Sequence, residues 1–481
     1  MPRTLKVFLR IFSLLLALNT FGAPKAPPNI IFILADDFGW RDLGCYGSTF
    51  YETPNLDGLA AGGMRFTDAY AACCVCSPTR ASILTGKYPA RLRLTDWLPG
   101  QPDKPEHKLR RPPLPDHLPK EEVTLAAALK KAGYLTACVG KWHLGGPEFY
   151  PERFGFDVNV AGCKLGHPPS YFSPYKIPTL KDGPSGEYLT DRLTDEALKF
   201  IAASTNKPFF LYLAHYAVHN PQEAKPELIA KYTAKAKKLD SRPEFRAEGK
   251  SRTRLIQNQP VYAAMIQSLD ESVGRIVQQL KDLLLLTNTV VIFTSDNGGL
   301  STTGGAPTSN EPLRAGKGWA YEGGVREPLI VHWPGHVAAQ SVSSYPVISP
   351  DFYPTLLQIA GQPLLPEQHP DGLTIIPALQ NQPAPSARRI FWHYPHYSPQ
   401  GGTPYGAIRL GNLKLIEWYE DMRVELFNLQ EDPSERHDIS AEHASSVTSL
   451  RKQLHEWRES VHAAMPSQNP DFKPEPAGNK K

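Results

Sequence analysis

The sequence has few cysteines, little net charge and no long apolar run beyond its first residues. Cysteine accounts for 6 of 481 residues, which is too few for a disulfide framework to take the place of a hydrophobic core. The net charge of +4 and the isoelectric point near 8.5 are too small to indicate binding to nucleic acid or to a membrane surface. A chain of this length can bury a large core, and we expect one large and one small domain.

Residues 1–23 are typical of a secretory signal peptide. Arg3, Lys6 and Arg10 precede an apolar run over 11–21, and small residues follow it. That run is too short for a spanning helix, and no later run is long and apolar enough to cross a bilayer. We therefore predict an exported protein, periplasmic or secreted, without a membrane span.

Strand-like and helix-like segments alternate through most of the chain. The apolar run at 29–34 is typical of a strand buried on both faces. Further strands are predicted at 135–139, 209–213 and 289–294, each after a helical pattern. This order predicts an α/β fold with a large, mostly parallel sheet sandwiched by helices. In such sheets ligands bind beyond the carboxyl ends of the strands.

The pattern changes after the prolines at 383 and 385. Short strands are predicted at 390–393, 407–410, 413–418 and 425–429, followed by a helix that carries Leu450, Leu454 and Trp457. These segments predict a small C-terminal antiparallel sheet with one helix. We therefore divide the chain into a main domain over 24–385, a small C-terminal subdomain over 386–466 and a polar tail over 467–481, which we expect to be disordered.

Two stretches interrupt the main domain. Residues 99–119 hold seven prolines and are expected to form an ordered loop without helix or strand. Residues 223–256 carry ten Lys or Arg against five Asp or Glu and are typical of a solvated helical insertion. This insertion is either a wet surface or a lid that attracts an anionic polymer.

One cysteine stands in a distinctive string. Cys76, Pro78 and Arg80 lie at offsets 0, +2 and +4, and Leu-Thr-Gly-Lys follows at offsets +8 to +11. Taken alone, the first five residues also fit a buried or disulfide-bonded cysteine before a helix. Zinc binding is not favoured, because no second Cys or His pair lies at finger-like spacing. Possible bridges among the other cysteines remain open.

Carboxylates follow two of the predicted strands. Asp36 and Asp37 come directly after the first strand, and Asp296 and Asn297 follow the strand at 289–294. Two adjacent carboxylates repel each other unless a cation lies between them. The second pair also fits an Asn-Gly turn. Together they form an oxygen-only ligand set, which suits Ca²⁺ or Mg²⁺ better than zinc or copper.

Basic residues and histidines follow strands in the same way. Lys141 and His143 come after the strand at 135–139, and His219 comes after the strand at 209–213. Lys317 lies in a glycine-rich segment over 314–324. Each could singly be a surface lysine or a hydrogen-bonded core histidine. As a group, they are candidates for binding an anion and moving protons.

Taken in order, these strings resemble the motifs of the type I sulfatases of the alkaline phosphatase superfamily. The string from Cys76 resembles the family signature, in which the cysteine is oxidised to formylglycine and becomes the nucleophile. Residues 140–145 resemble the family's Gly-Lys-Trp-His-Leu-Gly string, and 314–324 resembles another. The resemblance covers residues 29–438. It implies a sulfuric ester hydrolase whose catalytic domain is 24–385.

The resemblance also implies a role for each site residue. Asp36, Asp37, Asp296, Asn297 and the formylglycine oxygen at Cys76 would hold Ca²⁺, with Mg²⁺ as the second choice. Lys141 and Lys317 would neutralise the sulfate, His219 would donate a proton to the leaving group, and His143 would accept one. Arg80 would hold the formylglycine, and a formylglycine-generating enzyme would be a partner during maturation. His215 is not a catalytic position of the family and is expected to pack.

The substrate is less constrained by the sequence. His393 and His396 at the start of the small subdomain are candidate substrate contacts, because histidines and aromatic residues often contact sugars. The alternative is that they pack the domain junction. The resemblance, which includes the Leu-Thr-Asp-Trp-Leu string at 94–98, favours a sulfated sugar such as galactose or N-acetylgalactosamine sulfate, with an aryl sulfate as the other option.

Two other functions remain as alternatives. A phosphonate or phosphodiester hydrolase of the same superfamily could also use formylglycine, but it would be expected to have a histidine in place of Asn297. An inactive sulfatase-like binding protein would be expected to have lost site residues, whereas all ten expected residues are present. We therefore favour the sulfatase.

Overall fold

A nine-stranded sheet forms the centre of the protein. The computed structural model describes residues 26–382 and 388–474. The predicted signal peptide and the predicted domain boundary at 385 therefore lie outside the described residues. The strands of the large sheet are β1 (Asn29–Ala35), β2 (Met64–Tyr70), β4 (Leu135–Gly140), β5 (Val158–Val160), β6 (Phe209–Ala214), β9 (Thr289–Ser295), β10 (Arg326–His332), β11 (Ser341–Ser343) and β12 (Val347–Ile348).

The sheet is mostly parallel, as predicted. Its strand order is β11-β2-β10-β9-β1-β6-β4-β5, and β12 pairs with β2. Strand β10 runs antiparallel to both β2 and β9, whereas the other pairs are parallel. The apolar runs that predicted β1, β4, β6 and β9 occupy the centre of the sheet. The carboxyl ends of these four strands therefore lie side by side at one edge.

Helices cover both faces of the sheet. They are α1 (Pro54–Ala61), α2 (Cys76–Thr85), α3 (Pro89–Leu92), α4 (Leu125–Lys131), α5 (Leu189–Ala203), α6 (Pro226–Ala236), α7 (Pro260–Asp282), α8 (Glu322–Val325), α9 (Phe352–Ile359) and α10 (Ile376–Leu379). Within β1, Ile31 and Ile33 pack with α5 and α7, whereas Phe32 packs with α2, α4 and α9. This alternation explains why the strand is apolar throughout. No helix in the described residues is long and apolar enough to cross a membrane.

The C-terminal subdomain is a four-stranded antiparallel sheet with one helix, as predicted. Its elements are β13 (Arg389–Tyr394), β14 (Tyr405–Leu410), β15 (Leu413–Trp418), β16 (Val424–Asn428) and α11 (Ala444–Ser460). Its apolar face shares a core with the main domain: Trp392, Tyr405 and Leu415 lie in one cluster with Tyr70 and Val75.

Buried charges cross the same junction. Lys414 Nζ lies 2.9 Å from Glu322 Oε1 and 3.0 Å from Glu435 Oε1, and all three side chains are inaccessible to solvent. Arg409 on β14 pairs with Asp68 on β2 at 2.7 Å. The subdomain is therefore attached through both apolar packing and desolvated ion pairs.

The prediction of a disordered tail was wrong for residues 467–474. Strand β17 (Ser467–Gln468) pairs with β3 (Leu109–Arg110), which lies inside the proline-rich loop. The Asn469 amide donates to the carbonyl of His107 at 2.8 Å. Pairing with a distant loop gives these polar residues a fixed structure that their composition does not indicate.

The basic insertion is helical only in its first part. Helix α6 is followed by a hairpin of β7 (Phe245–Glu248) and β8 (Ser251–Arg254). The hairpin was missed because two of its charged residues point inward: Glu248 pairs with Arg314 at 2.8 Å, and Arg254 is 4% exposed. On α6, Lys231 and Lys235 pair with Glu52 at 2.6 and 2.8 Å. These pairs reduce the free positive charge of the insertion.

Candidate active site

The ten predicted site residues come from segments that meet at one edge of the large sheet. Adjacent strands β9, β1, β6 and β4 lead directly into the segments that carry Asp296, Asp36, His219 and Lys141. Cys76 follows β2. Lys317 precedes β10, and because β10 is antiparallel, its start lies at the same edge. Four residues of the ten line a cavity of about 750 Å³ there: Cys76, His143, His219 and Lys317.

The local structure of the Cys76 string suits a site at a helix start. Cys76 is the first residue of α2, and Pro78 lies in the first turn, where its missing N–H costs no helical hydrogen bond. Arg80 lies about one turn further on, so that its side chain reaches the same region as Cys76. Gly86 ends the helix in the left-handed conformation, with φ 71°.

Arg80 links two of the candidate metal ligands. Its Nη2 lies 2.7 Å from Asp296 Oδ2 and 3.6 Å from Asp36 Oδ1, and all three side chains are fully buried. A further bond runs from Arg80 Nη1 to the Lys141 carbonyl at 3.1 Å. The guanidinium therefore fixes the carboxylates relative to the Cys76 helix.

The carboxylate cluster fits a hard divalent ion. Lys141 Nζ contacts Asp36 Oδ2 at 2.7 Å, and Lys317 Nζ contacts Asp37 Oδ1 at 2.8 Å. The Asn297 amide nitrogen donates to Asp37 Oδ1 at 2.7 Å. Two buried oxygens, Asp36 Oδ1 and Asn297 Oδ1, have no hydrogen-bond partner. Orphaned carboxylate and amide oxygens are the donor type that Ca²⁺ and Mg²⁺ prefer.

The two adjacent aspartates differ in their electrostatics. Burial raises the pKa of Asp36 to about 8, although Lys141 and Arg80 oppose this rise. Burial also acts on Asp37, but Lys317 and His219 outweigh it and hold the Asp37 pKa well below its usual range. Asp36 therefore needs further positive charge to remain ionised at neutral pH, which a divalent cation would supply.

His143 lies between the Cys76 thiol and a backbone carbonyl. Its Nδ1 is 3.4 Å from Cys76 Sγ, and its Nε2 is 2.7 Å from the Leu98 oxygen. Because a carbonyl can only accept, Nε2 carries the hydrogen, and Nδ1 is the nitrogen that can gain or lose a proton beside position 76. Burial, with help from Lys141, lowers the pKa of His143 well below its usual value.

His219 has the opposite arrangement. Its Nδ1 donates to the Asn220 carbonyl at 2.9 Å, so Nε2 faces the site, 3.5 Å from Asp37 Oδ2. Burial and then Lys317 lower the pKa of His219 to about 3. A proton placed on this Nε2 is therefore given up readily.

The unmodified Cys76 thiol is not activated as a nucleophile. Burial raises its pKa, although Lys141 and Lys317 oppose the rise. Reactive cysteines have a lowered pKa, so the basic residues around position 76 do not serve a thiolate. All six cysteines are free thiols.

The cavity walls contain residues that the sequence did not indicate. Most of them come from three segments: 97–99, 164–167 and 399–400. Lys164 and His167 are exposed, and the His167 ring stacks on His219 with centroids 5.9 Å apart. The first segment includes part of the Leu-Thr-Asp-Trp-Leu string at 94–98, and no pattern in the sequence marked the other two.

His393 and His396 lie outside this cavity, and their prediction as substrate contacts is not supported. His393 is 4% exposed, and its ring nitrogens contact the Tyr419 hydroxyl at 2.7 Å and the Ala464 carbonyl at 3.1 Å. The Nε2 of His396, which is 2% exposed, lies 2.8 Å from Thr95 Oγ1. In this structure both side chains contact other parts of the protein, as in the alternative that the sequence left open. His215 is also buried, with its Nε2 3.1 Å from Ser272 Oγ.

Comparisons with known proteins agree with this geometry. The family model described as Sulfatase matches residues 28–362, and the model described as N-sulphoglucosamine sulphohydrolase, C-terminal, matches 315–462. N-acetylgalactosamine-6-sulfatase of Sus scrofa is 35% identical, covering 90% of this chain and 86% of the relative. Arylsulfatase A of Homo sapiens is 36% identical, covering 84% and 77%. The solved structure of Ps i-CgsB in complex with k-i-k-neocarrahexaose is 31% identical with a TM-score of 0.73, covering 94% of this chain and 95% of that one.

The fold and the site together define a hydrolase of the alkaline phosphatase superfamily, with a mixed sheet covered by helices. Within it, the chain belongs to the sulfatase family and is a sulfuric ester hydrolase.

Proposed function

We propose that this protein is an exported, formylglycine-dependent sulfatase that uses Ca²⁺ to release inorganic sulfate from a sulfated sugar. The convergence of all ten expected residues at one sheet edge carries the proposal. The orphaned oxygens of Asp36 and Asn297 support the metal, with Mg²⁺ as the second choice. The raised pKa of the Cys76 thiol supports a modified residue at that position.

Each group of site residues has a separate role in the proposed reaction. When present, formylglycine supplies a hydroxyl nucleophile, and Ca²⁺, held by Asp36, Asp37, Asp296 and Asn297, supplies positive charge. Lys141 and Lys317 bind the sulfate oxygens and stabilise the charge that develops on them.

Two histidines move protons on opposite sides of the sulfate. His219 presents Nε2 to the cavity. The negative charge of a bound sulfate would favour protonation of this nitrogen from solvent, and His219 then gives that proton to the leaving oxygen. His143 presents Nδ1 to position 76 and accepts a proton there. Arg80 keeps the Asp296 and Asp36 carboxylates in place through its buried ion pairs.

The proposed substrate class is a sulfated galactose or N-acetylgalactosamine unit. It is supported by the similarity to N-acetylgalactosamine-6-sulfatase of Sus scrofa and to Ps i-CgsB, which was solved in complex with k-i-k-neocarrahexaose. The cavity of about 750 Å³ is large enough to hold a sugar ring. A formylglycine-generating enzyme is the proposed maturation partner, and it would act on Cys76.

Release of sulfate from a defined panel tests the proposal. Sulfated galactose, N-acetylgalactosamine sulfates, an aryl sulfate, a phosphodiester and a phosphonate ester are incubated with protein co-expressed with a formylglycine-generating enzyme. Ion chromatography measures the sulfate released from the sulfate esters and the phosphate or phosphonate product released from the other two. We expect a sulfated sugar to give the highest kcat/KM and Cys76→Ala to give no turnover. A phosphonate or phosphodiester as the best substrate refutes the sulfatase assignment, and reaction with the aryl sulfate alone refutes the sugar.

Mass spectrometry tests the modification separately. The tryptic peptide that ends at Arg80 should be lighter than its cysteine form by one sulfur-for-oxygen exchange and two hydrogens. An active preparation that retains an intact thiol at position 76 contradicts the formylglycine proposal.

A further inference from the structure

His143 depends on a short backbone segment, residues 95–98, which we call the 95–98 strap. The strap's Leu98 carbonyl is 2.7 Å from His143 Nε2 and places the ring hydrogen on that nitrogen. On its other side the ring contacts Gly166, where an added Cβ would lie 2.6 Å from His143 Cε1. The strap and Gly166 together therefore set both the tautomer of His143 and the direction of its Nδ1.

The strap is tied to the same helix as Cys76. The Leu98 N–H donates to Ser77 Oγ at 3.1 Å, and the Ser77 hydroxyl donates to the His143 carbonyl at 2.9 Å. Ser77 thus connects the strap, the catalytic histidine and position 76 through two hydrogen bonds. These contacts lie on the side of the strap that faces the active site.

The other side of the strap is held by the C-terminal subdomain. The Tyr394 hydroxyl donates to Asp96 Oδ1 at 3.0 Å, and Thr95 Oγ1 lies 2.8 Å from His396 Nε2. Asp96 and His396 are 0% and 2% exposed. Because β13 ends at Tyr394, the strap is fixed by a strand of the second domain.

We propose that Tyr394 and His396 are positioning residues for the catalytic base: through the 95–98 strap they hold the Leu98 carbonyl against His143 Nε2 and so direct Nδ1 at position 76. This inference rests on the proposed function for the role of His143. It gives the C-terminal subdomain a part in proton transfer without contact to substrate.

The expected loss of activity depends on how many hydrogen-bond contacts hold the strap; we call each of these contacts an anchor. Loss of the Tyr394 hydroxyl or of the Thr95 hydroxyl removes one of the two outer anchors and leaves the Ser77 anchor in place. In metal sites, removal of a hydrogen-bond partner that orients a histidine lowers activity by about 10-fold to 100-fold. Because the other anchors of the strap remain in each variant, we expect a loss near the lower end of this range. We expect kcat to fall about tenfold and KM to remain unchanged, since neither side chain lines the cavity.

The test uses Tyr394→Phe and Thr95→Val, with Tyr353→Phe as the matched control. Tyr353 is buried, and its hydroxyl donates to the Val123 carbonyl at 2.9 Å, away from the strap. The first readout is ¹⁵N NMR of ring-labelled histidine in the unmodified Cys76 protein, with the His143 signals assigned by their loss in His143→Gln. The second is the separation of kcat from KM in the modified enzyme.

In the wild type we expect separate ring-nitrogen shifts for His143, with Nε2 protonated. In Tyr394→Phe and Thr95→Val we expect the two shifts to move towards each other as the tautomers mix, and kcat to fall. Tyr353→Phe should change neither. His143 shifts and kcat values equal to those of the control in both variants would overturn the inference. If one variant does not fold, the other decides. A wild type that releases no sulfate refutes the proposed function, whereas the NMR result still decides whether the strap sets the tautomer.

Discussion

When all three of its carboxylates are ionised, the charges at the floor of the site balance without a bound ion. Arg80, Lys141 and Lys317 face Asp36, Asp37 and Asp296, three cations against three carboxylates. A divalent ion would add two positive charges, and only then would the floor attract a sulfate strongly. Metal and substrate binding should therefore be coupled.

Calcium should stabilise the protein through Asn297. We expect the melting temperature to rise when Ca²⁺ replaces EDTA. At a free Ca²⁺ concentration of about 100 times Kd, binding should raise the free energy of unfolding by about 2.7 kcal/mol. Asn297→Leu removes a ligand oxygen that has no other partner, so most of this rise should be lost. Differential scanning calorimetry measures it, and Asn412→Leu at an exposed turn is the control. An equal rise in both variants would contradict the metal assignment of Asn297.

His215 should make the protein less stable in acid. Burial lowers its pKa from about 6.5 to about 3. As the pH falls from 6.5 towards 3, the unfolded chain binds a proton that the folded protein refuses, so stability falls in this window. At pH 5 the loss is about 2 kcal/mol. Denaturant unfolding of His215→Gln should show a weaker loss between pH 6.5 and 4 than the wild type. His437→Gln, in which an exposed side chain is replaced, should follow the wild type.

At the scale of single elements, sequence patterns predicted most of the large sheet. Strands such as β1 and β9 are buried on both faces, and continuous apolar runs report that burial directly. Strand β17 was missed because its partner β3 is distant in the chain and its own composition is polar. The hairpin of β7 and β8 was missed because its residues are mostly polar or charged, and some of the charged ones point inward.

The same limit applies to the site. The sequence pointed to residues in recognisable strings, such as Cys76 and Lys317, and the structure places them at one edge of the sheet. It did not point to the wall residue Lys164 or to the strap contact of Leu98. The Leu98 contact is made by a backbone carbonyl, and any residue type supplies one. His396 was predicted as a substrate contact from its residue type, whereas in the structure it is buried and contacts Thr95 of the strap.

Gly140 should tolerate no side chain where β4 joins the active-site loop. Its φ is +103°, and an added Cβ would lie 1.9 Å from the Ala214 carbonyl oxygen. Gly133 has a similar φ of +91° with nothing within 4 Å. We expect Gly133→Ala to cost about 1 to 2 kcal/mol for the left-handed backbone alone. Gly140→Ala should cost about 4 kcal/mol or more. Equal unfolding free energies for the two variants, measured in denaturant, would contradict the close approach of β4 and β6.

At the scale of the whole molecule, the junction between the two domains is a continuous part of the core. The cluster that contains Trp392 also contains Tyr70 and Val75 of the main domain. The ion pairs of Lys414 are fully desolvated. We therefore expect the two domains to unfold together.

Lys414→Met tests this junction. It leaves Glu322 and Glu435 buried without their shared cation, and such a loss costs about 3 to 5 kcal/mol. The matched control is Lys452→Met, whose lysine is 75% exposed beside Glu456 and should matter by no more than about 0.5 kcal/mol. Calorimetry should show a single transition for the wild type and a lower one for Lys414→Met. Two separate transitions in the wild type would show that the domains unfold independently.

The burial of Cys76 implies that its proposed modification must take place before the protein has folded completely. In the folded protein the Cys76 side chain is 3% exposed. The segment before it forms hydrogen bonds with residues that come much later in the sequence. Gly318 N–H donates to the Cys74 carbonyl at 2.8 Å, Ser349 Oγ accepts from Ala72, and the Trp392 indole donates to Ala71. During synthesis, Cys76 is made long before the residues that form these hydrogen bonds. A modifying enzyme can therefore act on Cys76 while the chain from Cys76 to Trp392 is being synthesised. Once the fold is complete, Cys76 is no longer accessible to it.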